Sequence, residues 1–178
     1  MTNKNRLRNQ VFMAVLIGIA SILHVIEGLF PPLPVPGAKL GLANTATLIG
    51  LRTLGFWPAI GISMARSLIG GLFGGSFFGP AFFMSFGGAI MSALAMGLIS
   101  KLKKLGTNNI FVSVIGAITH SITQLTIASY LIKHSGLLYY LPLLLGLSTL
   151  TGVFIGLVCD KVMAILPAAF CAEQKSRD

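Results

Sequence analysis

The chain has 178 residues, of which 54% are hydrophobic and only 10% are charged, and its mean hydropathy is +0.87. Soluble domains carry charge on about a quarter of their residues, so this composition excludes a soluble protein and predicts a single integral membrane domain over residues 1–178. The net charge of +9 does not indicate a nucleic-acid partner, because the basic residues lie at the ends of apolar runs.

Six apolar segments predict an all-α, six-transmembrane-helix bundle, since a helix needs about 20 residues to cross a bilayer. They cover about residues 9–30, 40–54, 57–73, 79–101, 109–132 and 138–165. The first follows a basic N-terminus, as in a signal peptide, but it is long and contains His24 and Glu27. We therefore predict a retained span. The second is short, and we expect it to begin inside the preceding loop or to cross only part of the bilayer.

The loop between the first two spans, Pro31–Asn44, reads PPLPVPGAKLGLAN. Its four prolines lack a backbone N–H and restrain their neighbours, so they exclude a regular helix. We predict a rigid, irregular hairpin that forms one wall of a ligand site. Lys39 either contacts the ligand or anchors the hairpin at head-group level, and Asn44 either contacts the ligand or caps the second span.

The distribution of lysine and arginine predicts that both termini are cytoplasmic and that the protein lies in the cell membrane. With the N-terminus inside, ten basic residues fall in cytoplasmic segments, whereas the outer segments hold only Lys39 and Lys133. Short loops with such a bias follow the positive-inside rule.

Small residues at helical spacing indicate close helix contacts. Ala14 and Gly18 form such a pair on the first span. This face either packs inside the bundle or docks a separate membrane subunit. Other spans carry small residues that we assign to internal packing: Gly61, Ala65, Ser148, Gly152 and Gly156.

Polar residues within the spans gather at one depth, in the outer half of the predicted bundle. Ionisable groups in lipid cost several kcal/mol and need a partner or a function. We predict a ligand site open to the outside, formed by Glu27, Lys39, Asn44, Arg66, His120, Thr123 and Gln124.

Several of these residues have a structural alternative. Arg66 and Glu27 can form an ion pair without any ligand. His120 and Gln124, at i and i+4 on one helix face, can act as a clamp between helices. We assign a structural role to His24, which is predicted to lie near the outer interface.

Two cations, Lys39 and Arg66, against the carboxylate of Glu27 favour an anionic or amphipathic ligand. Aromatic residues are available to cover its apolar part: Phe77, Phe78, Phe82, Phe83, Tyr139 and Tyr140. The connection at Ser76–Pro80 is either a lid over the site or a tight turn.

The motifs of several enzyme classes are missing from the sequence. There is no P-loop motif for nucleotides, and the two aspartates, Asp160 and Asp178, are too few and too far apart to hold Mg²⁺ on a diphosphate. We therefore predict no catalytic residues, no metal site and no cofactor. Cys159 and Cys171 form no metal-binding or disulfide motif.

The stretch PGAKLGLANTATLIGL at Pro36–Leu51 resembles the heptaprenyl diphosphate synthase component I family, also called the Gx transporter family. The six spans and the small residues of the first one are also similar to the S-components of energy-coupling factor transporters. In those proteins an alanine-x-x-x-alanine face on helix 1 docks the transmembrane coupling subunit, and Ala14 and Gly18 match this pattern with glycine in the second place.

This resemblance implies an S-component that captures a vitamin or cofactor precursor outside the cell and works with a coupling subunit and two ATPase subunits. Two alternatives remain. The chain can be a non-catalytic membrane subunit associated with polyprenyl diphosphate or quinone biosynthesis, or a self-sufficient secondary carrier.

Overall fold

The computed structural model describes residues 3–29, 41–102 and 108–166, and every regular element in these ranges is helical. The elements are α1 (Asn3–Leu29), α2 (Asn44–Thr53), α3 (Phe56–Phe73), α4 (Pro80–Ser100), α5 (Asn109–Ile132), a 3₁₀ helix (Ser135–Tyr140) and α6 (Leu141–Ile165). Five segments of the described chain are long and apolar enough to cross a membrane, the last of them including part of the 3₁₀ helix. The chain is therefore an all-helical, multi-pass membrane protein, as predicted.

The second apolar segment forms a short helix at the centre of the bundle. With 10 residues, α2 is about 15 Å long, which is half of the roughly 30 Å hydrocarbon core of a bilayer. It packs against each of the other α-helices, and only Thr45 and Arg52 on it are not buried. The predicted segment at 40–54 thus crosses only part of a bilayer and lies inside the protein.

Two helix boundaries differ from the prediction. The first helix begins at Asn3 instead of residue 9, because the polar N-terminal residues include no proline or glycine that would stop it. The last apolar segment begins as a 3₁₀ helix, and α6 starts only at Leu141. By contrast, α5 begins at the predicted residue, where the side chain of Asn108 accepts a hydrogen bond from the backbone N–H of Phe111 at 3.1 Å.

Small residues bring α5 and α6 into close contact, as predicted. A Cβ atom added to Gly156 would lie 2.4 Å from the Cα of Ile110, and one added to Gly152 would lie 2.7 Å from the Cα of Val114. Any larger side chain at these positions would meet backbone, so the two glycines set the distance between the helices.

The pair on α1 behaves differently. Ala14 is exposed, and nothing in the described part of the chain lies within 4 Å of a Cβ atom added to Gly18. Among the described residues the pair therefore lies on an outward-facing surface, and its docking to a separate subunit stays a prediction.

The main apolar core surrounds the inner half of α2. It includes Leu48 and Leu51 of α2, Leu16 of α1, Ile62 of α3 and Ile155 of α6. Polar residues are concentrated at the other end of α2, near the end of α1. We call this end of the bundle the outer end, following the orientation that the basic residues predict.

Candidate functional site

Six buried polar residues form what we call the outer polar cluster: Glu27, Asn44, Thr47, Arg66, His120 and Gln124. They come from α1, α2, α3 and α5, so the tertiary structure brings together side chains that lie far apart in the sequence. Each is at most 8% exposed. Five of the six belong to the site predicted from sequence; the sixth is Thr47.

Arg66 is the largest fully buried side chain of the described residues, with 1% of its surface exposed. Its Nη2 donates a hydrogen bond to Oδ1 of Asn44 at 2.6 Å, and the carboxylate of Glu27 attracts it electrostatically. A buried cation costs several kcal/mol unless it is paired and hydrogen-bonded. Glu27 and Asn44 supply part of this compensation. Asn44 does not cap α2 with its side chain; the helix begins without a side-chain cap.

Glu27 also binds the backbone just before α2. The backbone N–H of Leu42 donates a hydrogen bond to its Oε1 at 2.5 Å, which ties the chain before α2 to α1. The preceding Gly41 has a φ of +80°, a conformation that favours glycine. Of the predicted hairpin only these last residues are described, and Lys39 lies outside the described residues.

Polar atoms on α2 and α3 in the outer polar cluster have no hydrogen-bond partner among the described residues. They include Nδ2 of Asn44, Nε of Arg66 and Oγ1 of Thr47. Asn44 and Thr47 lie one helical turn apart on the same face of α2. An unsatisfied buried donor costs about 1–3 kcal/mol, so this region is suited to receive a group with acceptor atoms.

His120 and Gln124 lie next to each other on α5 and face Gly88 of α4. A Cβ atom added to Gly88 would lie 3.0 Å from the imidazole of His120 and 3.1 Å from Cγ of Gln124. A Cβ atom added to Gly41 would lie 3.0 Å from Nδ2 of Asn44 and 3.9 Å from Cδ2 of His120. Gly41 therefore lies between the α2 and α5 parts of the cluster.

Thr123 is the described member of the predicted site that does not join the cluster. It is half-buried and donates a hydrogen bond to the carbonyl oxygen of Thr119 at 2.8 Å. Its methyl group points toward Gly87, on α4 beside Gly88. Because its hydroxyl proton is used within α5, Thr123 has none to offer to a ligand in this arrangement.

His24 is buried, with 3% of its surface exposed, and packs against α3. A Cβ atom added to Gly70 would lie 2.5 Å from the His24 ring, so the absence of a side chain at this position makes room for the imidazole. This close packing agrees with the structural role assigned from sequence.

Sequence analysis missed Thr47, and the nearby Thr45 does not join the cluster. The hydroxyl of Thr45 donates to the carbonyl oxygen of Leu42 at 2.7 Å, and its side chain lies on a different face of α2. The available signal was spacing, since Thr47 lies three residues after Asn44 and therefore on the same helix face. Ser63 was also missed; it joins α3 to α4 by a 2.8 Å hydrogen bond to the carbonyl oxygen of Ala89.

The predicted aromatic cover is only partly assembled. Phe82 is buried against Gly71, and its ring centroid lies 5.1 Å from that of Phe77. By contrast, Tyr139 is 89% exposed. The connection between α3 and α4 includes a tight turn, in which Gly79 N–H donates to the Ser76 carbonyl at 2.9 Å. Its role as a lid stays a prediction.

A second polar group joins the opposite, inner ends of three helices. Nε of Arg52 on α2 donates to Oδ1 of Asn109 on α5 at 2.5 Å, and Nδ2 of Asn109 donates to Oδ1 of Asp160 on α6 at 2.6 Å. Asp160 also attracts Arg52 electrostatically. We call these three residues the inner chain.

One family model matches the sequence, over residues 16–162, and its description is heptaprenyl diphosphate synthase component I. No curated protein and no solved structure matches the chain.

Proposed function

This chain belongs to the heptaprenyl diphosphate synthase component I family, and we propose that it is the substrate-binding membrane subunit of an importer of the energy-coupling factor type. In this proposal it lies in the cytoplasmic membrane and captures a small molecule from outside. It has no catalytic activity of its own and delivers the molecule with partner subunits.

The observation that carries this proposal is the outer polar cluster. Arg66 is buried among helices, where a cation is costly, and Asn44 and Glu27 compensate it only in part. Nε of Arg66, Nδ2 of Asn44 and the hydroxyl of Thr47 have no partner among the described residues. A purely structural pair would be expected to satisfy such groups, since most buried polar atoms are hydrogen-bonded. A ligand would complete them.

The chemistry of these atoms defines the ligand class. Arg66 Nε and Asn44 Nδ2 can only donate, and the Thr47 hydroxyl can donate or accept. The ligand therefore presents acceptor oxygens, and a carboxylate or phosphate group fits the buried guanidinium best. The surrounding core is apolar, so an anionic group on an apolar body is the favoured substrate. Lys39 remains a proposed second cation at this site.

The exposed face of α1 supports a role in a larger complex. Gly18 has open space beside it, and Ala14 lies one turn earlier on the same surface. Small residues allow a second helix to approach closely in lipid. We propose that this face binds a transmembrane coupling subunit, which is joined in turn by two ATPase subunits.

A second candidate function follows from the description of the family. A heptaprenyl diphosphate synthase component suggests a non-catalytic membrane subunit that works with a soluble prenyl synthase. In that case the exposed face of α1 would not be needed for a membrane partner, and the outer polar cluster would have no transported ligand.

Co-purification distinguishes the two functions. The tagged full chain, extracted from its native membrane in mild detergent, is expected to bring down a coupling subunit and two ATPases. Gly18→Trp should abolish this recovery. The matched control is Gly146→Trp on α6, where a Cβ atom also meets nothing within 4 Å. Recovery of a prenyl synthase in place of the ATPases would contradict the first proposal.

Native mass spectrometry of the same preparation tests the site itself. The wild-type protein is expected to retain a small molecule that carries a carboxylate or phosphate. Arg66→Lys keeps the charge but loses the planar guanidinium donors, so it should retain less of this molecule. Equal retention by the variant would show that the Arg66 guanidinium does not bind the ligand.

A further inference from the structure

A groove lined by hydrocarbon side chains runs along the outside of the bundle between α1 and α6, with α2 as its floor. Its volume is about 310 Å³. Residues from all three helices line it, among them Phe12, Leu23, Thr45, Ile49, Val158 and Val162. The groove lies apart from the outer polar cluster and shares no residue with it.

The short helix α2 separates the two long helices that form the walls of the groove. It has 10 residues, reaches about halfway across a bilayer and packs against both α1 and α6. The only polar side chain in the lining is that of Thr45, and its hydroxyl already donates to the Leu42 carbonyl at 2.7 Å. The groove lining therefore offers an occupant no side-chain hydrogen-bond donor, and it suits a hydrocarbon chain.

The extent of the groove matches one leaflet. Along α1 it runs from Phe12 to Leu23, which is about 16 Å at 1.5 Å per residue. With the N-terminal end of α1 in the cytoplasm, as the basic residues predict, it begins near the inner membrane surface and extends past the middle of the bilayer.

Positive charge surrounds the inner end of the groove. Arg8 lies one turn before Phe12 on the same face of α1, and Lys161, which is exposed, directly precedes Val162 on α6. The neighbouring carboxylate of Asp160 accepts a hydrogen bond from Asn109 on α5. Anionic head groups of the inner leaflet are attracted to basic residues at this depth.

We propose that the groove binds one anionic phospholipid of the inner leaflet, with an acyl chain against α2 and the head group beside Arg8 and Lys161. This lipid fills the groove between α1 and α6. The proposal does not depend on the function proposed for the outer polar cluster.

Native mass spectrometry of the full chain, titrated with phosphatidylglycerol or with phosphatidylcholine of the same acyl chains, tests this site. One phosphatidylglycerol is expected to remain bound, at least about fivefold more tightly than phosphatidylcholine. Val158→Phe places a ring in the groove and should displace the lipid. The matched control is Val153→Phe, at a position of α6 that is exposed and does not line the groove.

A second pair of variants tests the head group independently of groove packing. Lys161→Gln should weaken phosphatidylglycerol binding about fivefold, the effect of one juxtamembrane cation. Lys133→Gln, at an exposed lysine on the predicted outer side, should leave it unchanged. Equal retention of the two lipids by the wild type would overturn the proposal. It would also be overturned if Val158→Phe and Val153→Phe gave the same lipid binding, or if a co-purified protein occupied the groove instead.

Discussion

The same pair of side chains, an arginine and an asparagine, occurs at both ends of the bundle. At the inner end Arg52 donates to Asn109 at 2.5 Å, and at the outer end Arg66 donates to Asn44 at 2.6 Å. At the inner end, Nδ2 of Asn109 also donates a hydrogen bond to Oδ1 of Asp160 at 2.6 Å. The outer asparagine keeps an Nδ2 without a partner among the described residues.

This difference separates a structural contact from a candidate binding site. The inner chain is partly open to solvent, where incomplete hydrogen bonding would cost little, yet its asparagine has partners on both sides. The outer polar cluster is buried, where each unsatisfied group costs about 1–3 kcal/mol. The polar atoms without hydrogen-bond partners therefore lie in the buried cluster, where their free-energy cost is highest. This is a reason to assign the ligand to the outer end.

The largest effect is expected from removing the buried cation. Arg66→Met should lower the free energy of unfolding by about 3–5 kcal/mol, because the charge of Glu27 is left buried and uncompensated. Unfolding in detergent, followed by circular dichroism, measures this loss. The double variant Glu27→Gln/Arg66→Met should recover part of it. Arg52→Met, at the less buried end, should cost less; an equal loss would contradict the distinction between the two ends.

The next effect concerns the packing that supports the inner chain. Gly156→Ala should destabilise the protein by about 1–3 kcal/mol, since overpacking forces the backbone apart and the added Cβ would lie 2.4 Å from the Cα of Ile110. The same unfolding measurement applies. Gly146→Ala on the same helix, where a Cβ meets nothing within 4 Å, is the control and should not be destabilised.

A smaller effect is expected from removing the hydrogen bonds that join Arg52, Asn109 and Asp160 in the inner chain. Asn109→Ala removes two hydrogen bonds that are partly open to solvent and should cost about 0.5–1.5 kcal/mol of stability, without changing the amount of small molecule that the purified protein retains. Asn44→Ala should reduce that retention. If Asn109→Ala reduced the retention of the small molecule as much as Asn44→Ala does, the inner chain would also contribute to ligand binding. That result would contradict the distinction between the two ends of the bundle.

The smallest effect on stability is expected at Thr47. Thr47→Val replaces a buried hydroxyl that has no partner among the described residues by a methyl group of similar shape, so stability should change by less than about 0.5 kcal/mol. Ligand affinity should fall about fivefold, the value of one hydrogen bond. Thr53→Val is the control on the same helix, because the Thr53 hydroxyl donates to the Ile49 carbonyl at 2.7 Å and is not expected to reach the ligand. Unchanged affinity in Thr47→Val would remove Thr47 from the site.

Much of the fold was predictable because lipid restricts the alternatives. Apolar runs of about 20 residues must form helices there, since every backbone polar group has to be satisfied within the segment. The same restriction made the site residues visible. In a chain with 10% charged residues, Glu27 and Arg66 inside apolar runs required a partner or a function, and the structure places both in one buried cluster.

The sequence could not predict which atoms of that cluster meet. Thr45 and Thr47 point about 200° apart on a helix, so the orientation of α2 in the bundle decides which of them reaches the cluster. Likewise, Asn44 was assigned either to a cap or to a ligand, whereas its side chain accepts a hydrogen bond from Arg66 of another helix. Such contacts depend on how helices pack, which a single sequence does not encode locally.

The sequence by itself determined the all-helical membrane architecture, the short second apolar segment and the polar residues that must be buried together. These follow from hydrophobic length and from the cost of charge in lipid, which are properties of each segment. Only the tertiary structure decided that α2 lies at the centre of the bundle, that Ala14 and Gly18 face outward, and that the two arginine–asparagine pairs differ in their completeness. These depend on distances between helices, and a few ångströms decide whether a donor has a partner.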